Sequence, residues 1–214
     1  MLFGLGPVYG RNLGLDNTEI GYFMTSIMVG TLLLQYPVGR LSDKFDRRAV
    51  ILGASTSAAV CIAIASFFDA NQFILLLIFT MVFGGLTFSL YSLFIAHAND
   101  FLPPSQMVAV SSGLLMVNGA GAVVGSPFAA TIIEIFGSRS FMPAIALILV
   151  AISGLVLLRM RMRDAVPTEA QGPFVAFPET LTSVAAGLNP EAEWTETAEK
   201  EDAADPFKDN PYIN

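Results

Sequence analysis

Five long apolar stretches constrain the fold of this chain more than any other feature. A hydrocarbon core about 30 Å thick takes roughly 20 apolar residues as a helix, because each backbone polar group must be satisfied within the segment. The composition agrees, since 54% of the residues are hydrophobic, 14% are charged and the mean hydropathy is +0.62. We predict an all-α membrane protein with five full transmembrane helices at residues 20–38, 49–68, 73–96, 107–136 and 141–158.

A dense run of charge, GRLSDKFDRR at residues 39–48, separates the first two stretches. Placing its six charges in lipid would cost on the order of 15 kcal/mol, so we predict a loop outside the membrane. Cations concentrate on the cytoplasmic side of membrane proteins. A second basic group, Arg159, Arg161 and Arg163, falls on the same side when five helices alternate in direction. This pattern predicts a multi-pass protein of the cell (inner) membrane whose C-terminal tail is cytoplasmic.

The same ten residues resemble the signature G-x-L-[AS]-D-[RK]-x-G-[RK]-[RK] of the major facilitator superfamily. They depart from it at Asp46, where the family usually has glycine. The resemblance implies half of a major facilitator bundle, with secondary active transport of a small solute by alternating access as the function. The matching positions are Gly39, Leu41, Ser42, Asp43, Lys44, Arg47 and Arg48.

Two placements of the chain within such a transporter agree with the topology, because the two halves are repeats. The signature occurs between helices 2 and 3 of the family, with a weaker copy between helices 8 and 9. We favour the second placement, since LQYPVGRLSDKFDRR and HANDFLPPSQMVAVSSGLL resemble the C-terminal half of bacterial YcaD-like facilitators. Residues 1–10 are then a remnant of a preceding sixth helix, and the chain is an N-terminally truncated fragment whose partner is the missing N-terminal half.

The composition changes after residue 163. Residues 164–214 carry two Lys or Arg against eleven Asp or Glu, with few large apolar side chains. Such a segment cannot bury enough surface to offset its ordering entropy. We therefore predict two units, a transmembrane bundle over residues 1–163 and a disordered acidic cytoplasmic tail over residues 164–214.

The resemblance also implies a role for the charged loop as a conformational latch. Asp43 could accept hydrogen bonds from a helix N-terminus in the opposite half, and Arg47 and Arg48 could pair with carboxylates there. The alternative is that these residues only fix the topology. The latch residues are Gly39, Asp43, Lys44, Arg47 and Arg48.

Small residues in VNGAGAVVGSPFAA, residues 117–130, form one face of the fourth predicted span. Asn118, Gly121 and Gly125 are three or four residues apart, and Pro127 permits a bend. Such a face lets another helix approach closely. It meets either a helix of the opposite half, as in facilitators, or a neighbour within this half.

Polar side chains at mid-depth are candidates for the substrate cavity. We predict that Thr87 and Tyr91, four residues apart on the third span, and Asn118 line it, with Gly84 and Gly85 as a flexible point. The alternative for each hydroxyl is a bond to the helix backbone.

Glu134 is the one carboxylate in a predicted span, and intramembrane carboxylates are candidates for ion coupling. The alternative is a position at the membrane surface, paired with Arg139. Asp100 is interpreted as a loop group that follows the third span.

No pattern in the sequence indicates an enzyme. Metal-ligand spacing and a P-loop are absent, so we expect no cofactor, no metal and no nucleic acid partner. The expected partners are the lipid bilayer, the missing half and a small-molecule substrate. Two alternatives to transport stay open: a membrane-embedded interaction or regulatory protein, and an inactive transporter fragment.

Overall fold

The computed structural model describes residues 2–100 and 104–162, with the backbone alone for residues 104–109. This part of the chain is built from α-helices joined by short turns, two of which are single 3₁₀ turns at Ala70–Gln72 and Ser138–Ser140. The all-α architecture is as predicted. The helices are α1 (Leu2–Asn12), α2 (Asn17–Lys44), α3 (Arg47–Ala65), α4 (Phe73–Asn99), α5 (Pro104–Phe136) and α6 (Phe141–Met162).

Four segments of the described chain are long and apolar enough to cross a membrane, namely Arg47–Ala65, Ala70–Asn99, Val110–Phe136 and Ser138–Met162. The fifth predicted span lies in α2, which has 28 residues but is more polar. Two of its hydroxyl groups are satisfied within the helix, since Ser26 and Thr31 donate to the carbonyls of Phe23 and Ile27. The chain is therefore a multi-pass membrane protein.

The prediction that residues 39–48 form a loop was wrong. Helix α2 continues through Lys44 and α3 begins at Arg47, so only two residues, Phe45 and Asp46, separate the helices. Long charged side chains at a helix end can reach water while the backbone stays helical, which explains how the charge is accommodated. We call the bundle end with residues 39–48, 97–100 and 159–162 the charged end.

Helices α2 and α4 run in the same direction and touch through their backbones. A Cβ atom at Gly30 would overlap the carbonyl of Met81, and one at Gly84 would lie 2.6 Å from the carbonyl oxygen of Ile27. Gly85 likewise faces the Gly30 carbonyl. The interpretation of Gly84 and Gly85 as a flexible point is therefore corrected, because both lie in a tight helix contact.

Helix α3 packs between α4 and α6 and supplies much of the core. Its buried face includes Ala54, Ala58 and Ile62. Ser153 of α6 donates to Ser55 of α3 over 2.8 Å, and both side chains are buried. Hydroxyl pairs of this kind hold helices together in lipid, where water cannot compete.

The end opposite the charged end is closed by aromatic packing and polar bonds. Tyr9 of α1 is buried, with ring centroids 6.4 Å from Phe23 and 5.6 Å from Phe141. Asn12 donates to the Ser138 hydroxyl over 2.6 Å. These contacts attach the short helix α1 to the rest of the bundle.

Helix α2 begins with a complete capping box at Asp16. The Asp16 carboxylate accepts from the Glu19 backbone N–H over 2.7 Å, and Glu19 accepts from the Asp16 N–H over 2.9 Å. Asp16→Ala should lower the free energy of unfolding by about 1 kcal/mol, because backbone donors lose their acceptor. Detergent-solubilised chain titrated with SDS measures this loss. Thr18→Ala, at an exposed position two residues after the cap, is the control and should change stability by less than half as much.

Candidate functional site

The most developed polar site lies at the charged end, around Arg47. Its guanidinium is buried, with 1% of the side chain exposed. Nη1 donates to Asp100 Oδ1 over 2.6 Å and to the Ala96 carbonyl over 2.9 Å, and Nε donates to the Ser42 hydroxyl over 3.1 Å. The Asp100 side chain is 2% exposed. One arginine thus joins the end of α2, the start of α3 and the end of α4.

The tight turn between α2 and α3 positions this arginine. The Phe45 N–H closes α2 on the Leu41 carbonyl over 3.1 Å. The Asp46 carboxylate then caps α3 by accepting from the Arg48 N–H over 3.0 Å, and it lies 3.5 Å from the Arg48 side chain. Asp46 therefore has a structural role at the position where the signature usually has glycine.

The predicted latch residues fall into two groups. Gly39 and Arg47 are buried, whereas Lys44 is exposed and the Asp43 side chain is 42% exposed. Asp43 Oδ1 lies 3.9 Å from Arg47 Nη2. Arg47 is therefore engaged within this bundle, in contrast to the expectation that it reaches a carboxylate elsewhere. Asp43 and Lys44 are therefore the exposed members of the set, and Arg48 is half-buried.

Asp100 is the residue of this ion-pair site that sequence reasoning missed. It was interpreted as a loop group, yet its carboxylate is buried against Arg47 at the C-terminal cap of α4. The available signal was weak. The sequence shows a lone carboxylate directly after one apolar span and a basic cluster at the end of another. These groups predict an ion pair only when the two helices are known to be antiparallel neighbours.

Helix α5 carries the predicted small-residue face and has few contacts with the rest of the described chain. Gly121 and Pro127 are exposed, Asn118 and Gly125 are half-buried, and a Cβ at Gly121 would meet no neighbour within 4 Å. Large side chains elsewhere on α5, such as Met116 and Val123, are also exposed. The helix packs mainly near Ala129, which is buried. The small-residue face is therefore covered near Ala129 and open around Gly121 in the described part of the chain.

The candidate cavity residues are in different environments. Two other hydroxyl groups of α4, those of Thr80 and Ser89, donate to carbonyls one turn earlier, at Leu76 and Gly85, and are thus bonded to the helix backbone. The Thr87 hydroxyl oxygen is buried and has no hydrogen-bond partner among the described residues. Tyr91 is half-buried one turn further along α4. The Thr87 hydroxyl can therefore still form a hydrogen bond with a ligand, whereas the hydroxyls of Thr80 and Ser89 are bonded to the helix backbone.

Glu134 is exposed in the last turn of α5. Arg139, the partner considered for it, instead donates to Asp69 over 2.9 Å and so links the two turns at that end of the bundle. Within residues 2–100 and 104–162, no three His, Cys, Asp or Glu side chains gather as a metal site would require.

Comparison with known proteins relates these features to a family. Residues 1–200 match the family model described as Major Facilitator Superfamily. The chain is 29% identical over 164 residues to proteins named "Uncharacterized MFS-type transporter YcaD" from Shigella flexneri, Escherichia coli and Salmonella paratyphi B. The match covers 77% of this chain but 40% of each relative, so the chain spans about 40% of the length of these relatives. No solved structure matches the chain.

Proposed function

Because this chain belongs to the major facilitator superfamily, we propose that it forms part of a secondary transporter that moves a small solute by alternating access. The observation that carries the proposal is the family match over residues 1–200. The chain would supply the C-terminal half of the transporter, and a second helical bundle would complete the solute path. The fold supports this role, since the part of α5 around Gly121 is exposed and meets no described helix.

The charged end would act as the latch between the two bundles. The ion pair of Arg47 and Asp100 holds the ends of α3 and α4 together, so the turn can present Asp43 and Lys44 as a fixed surface. A partially exposed carboxylate beside a guanidinium suits the positive N-terminus of an opposing helix. Rocking of the bundles would make and break this contact, while Arg47 stays in place.

The solute would contact uncharged groups of this chain. No Asp, Glu, Lys or Arg lies in residues 73–96 or 107–133, which include Thr87, Tyr91 and Asn118. Those three residues would offer hydroxyl and amide groups to the solute. Glu134 would stay at the membrane surface, so an ion-coupling carboxylate would come from another part of the transporter.

Reconstitution tests the proposal. The chain would be placed in liposomes, alone and together with the rest of its transporter. We would then impose a proton gradient and follow the uptake of labelled sugars, amino acids, organic acids and cationic dyes. We expect gradient-driven flux of at least one solute by the complete assembly. Thr87→Val and Tyr91→Phe should lower that flux, and removal of residues 164–214 should not. Flux that needs the tail, or that is unaffected by both cavity variants, would contradict the proposal.

Sidedness gives an independent prediction. In a Cys61→Ser background, Lys44→Cys should react with an impermeant maleimide only after the cells are opened, because the basic cluster marks the cytoplasmic side. Gln72→Cys, at an exposed position in the turn at the opposite end, is the matched control and should react in intact cells. Labelling of Lys44→Cys in intact cells would reverse the topology.

A further inference from the structure

A patch of α6 combines positive charge with an exposed apolar surface. Leu155, Leu158 and Met162 are exposed and lie three or four residues apart, so they share one helical face. Arg159 falls on the same face, and Arg161 follows at the end of the helix. The opposite face of α6 contains Ala146, Leu149 and Ser153 and is buried. We call Leu155, Leu158, Met162, Arg159 and Arg161 the α6 patch.

The α6 patch lies at the same end of the bundle as the first turn of α3, on the side of α6 that is turned away from α3. Ser55 and Ser153 are bonded, and α3 and α6 run in opposite directions, so the start of α3 and the end of α6 are level with each other. Arg48 and Arg159 both act electrostatically on His97, which places them around the same end of α4. Arg47 is neutralised by Asp100, and Arg48 is accompanied by Asp46. The net positive charge on the α6 side therefore comes from Arg159 and Arg161.

The residue types on this face indicate lipid as its neighbour. Helix contacts in membranes use small residues, as on the uncovered face of α5, whereas bulky aliphatic side chains are suited to lipid tails. The exposed part of α6 is rich in such side chains, including Leu147, Val150 and Leu155. A guanidinium at the end of such a face lies at headgroup level and donates several hydrogen bonds to a phosphate.

We propose that the α6 patch binds an anionic phospholipid, with the acyl chains along Leu155 and Leu158 and the phosphodiester at Arg159, while Arg161 adds positive charge at the same helix end. Cations near the membrane surface attract anionic headgroups, and each one favours them by about fivefold. The site does not depend on solute transport.

Photo-crosslinking in the full chain tests the proposal. Leu158 is replaced with benzoylphenylalanine, and the protein is placed in nanodiscs of equal amounts of phosphatidylglycerol and phosphatidylcholine. Adducts at this position should contain phosphatidylglycerol in at least about fivefold excess. Leu147, exposed on the distant part of α6, is the control position and should report the bulk ratio. Equal amounts of phosphatidylglycerol and phosphatidylcholine adducts at residue 158 would overturn the proposal.

Charge variants identify the source of the preference. In the Arg159→Gln/Arg161→Gln variant, the ratio of phosphatidylglycerol to phosphatidylcholine adducts at residue 158 should fall to the ratio found at residue 147. Arg11→Gln/Arg139→Gln removes two cations from the opposite end and should leave the excess intact. If millimolar glycerol phosphate abolished the excess of phosphatidylglycerol adducts at residue 158, the ligand would be a soluble phosphate. Adducts to residues 164–214 would show that the acidic tail occupies the patch. Either result would overturn the proposal.

Discussion

Replacing Arg47 with methionine should lower the free energy of unfolding by about 3 to 5 kcal/mol, the usual cost of removing one member of a buried ion pair. The Asp100 carboxylate would lose the cation that lies 2.6 Å away, and the Ser42 hydroxyl and the Ala96 carbonyl would lose a donor. The loss is measured by SDS titration of the detergent-solubilised chain. It should also appear as a lower yield of folded protein.

A double variant separates buried charge from packing. Arg47→Met/Asp100→Leu removes both charges and should recover most of the loss, because a buried ion pair is often replaceable by apolar groups of similar volume. Lys44→Met removes an exposed cation three residues earlier and should change stability by less than about 0.5 kcal/mol. A double variant as unstable as Arg47→Met would mean that the hydrogen bonds to Ser42 and Ala96, and not the ion pair, carry the stability.

Replacing Gly30 with alanine should destabilise the bundle by about 3 kcal/mol, at the upper end of the usual cost of overpacking. The added methyl group would overlap the Met81 carbonyl, and backbone cannot move aside as the end of a flexible side chain can. Helices α2 and α4 would have to separate along their contact. The same SDS titration measures the effect.

Gly21→Ala provides the matched control for this change. Gly21 lies on the same helix, is exposed, and has no atom within 4 Å of an added Cβ. Its replacement should change stability by less than about 0.5 kcal/mol. If the two alanine variants were equally stable, the close approach of α2 and α4 would not exist in the protein.

The sequence predicted the helices well because lipid requires long apolar segments. Most of their ends were found to within four residues, but α2 continues six residues beyond the predicted end at residue 38. Hydropathy reports the solvent around a segment, so it does not indicate which helices touch. Gly30 therefore passed unnoticed, while the GxxxG spacing of Gly121 and Gly125 drew attention to α5. Both glycine sets are compatible with helix contact, and only the structure shows which one is used within this chain.

The site at the charged end was predicted in part for a similar reason. The signature directed attention to Asp43 and Arg47, but a linear pattern does not say whether a side chain points outward or into its own bundle. Asp100 lies 53 residues after Arg47. Their pairing depends on the antiparallel packing of α3 and α4, which a single sequence does not report.

The uncovered face of α5 has a consequence for the lifetime of the protein in cells. Membrane proteases degrade subunits whose helix-contact surfaces remain open, and Gly121 and its neighbours are such a surface. Chains synthesised without a second bundle should therefore be cleared faster than chains synthesised with one. Pulse-chase labelling would measure the two half-lives, and equal values would indicate that lipid alone is an adequate neighbour for α5.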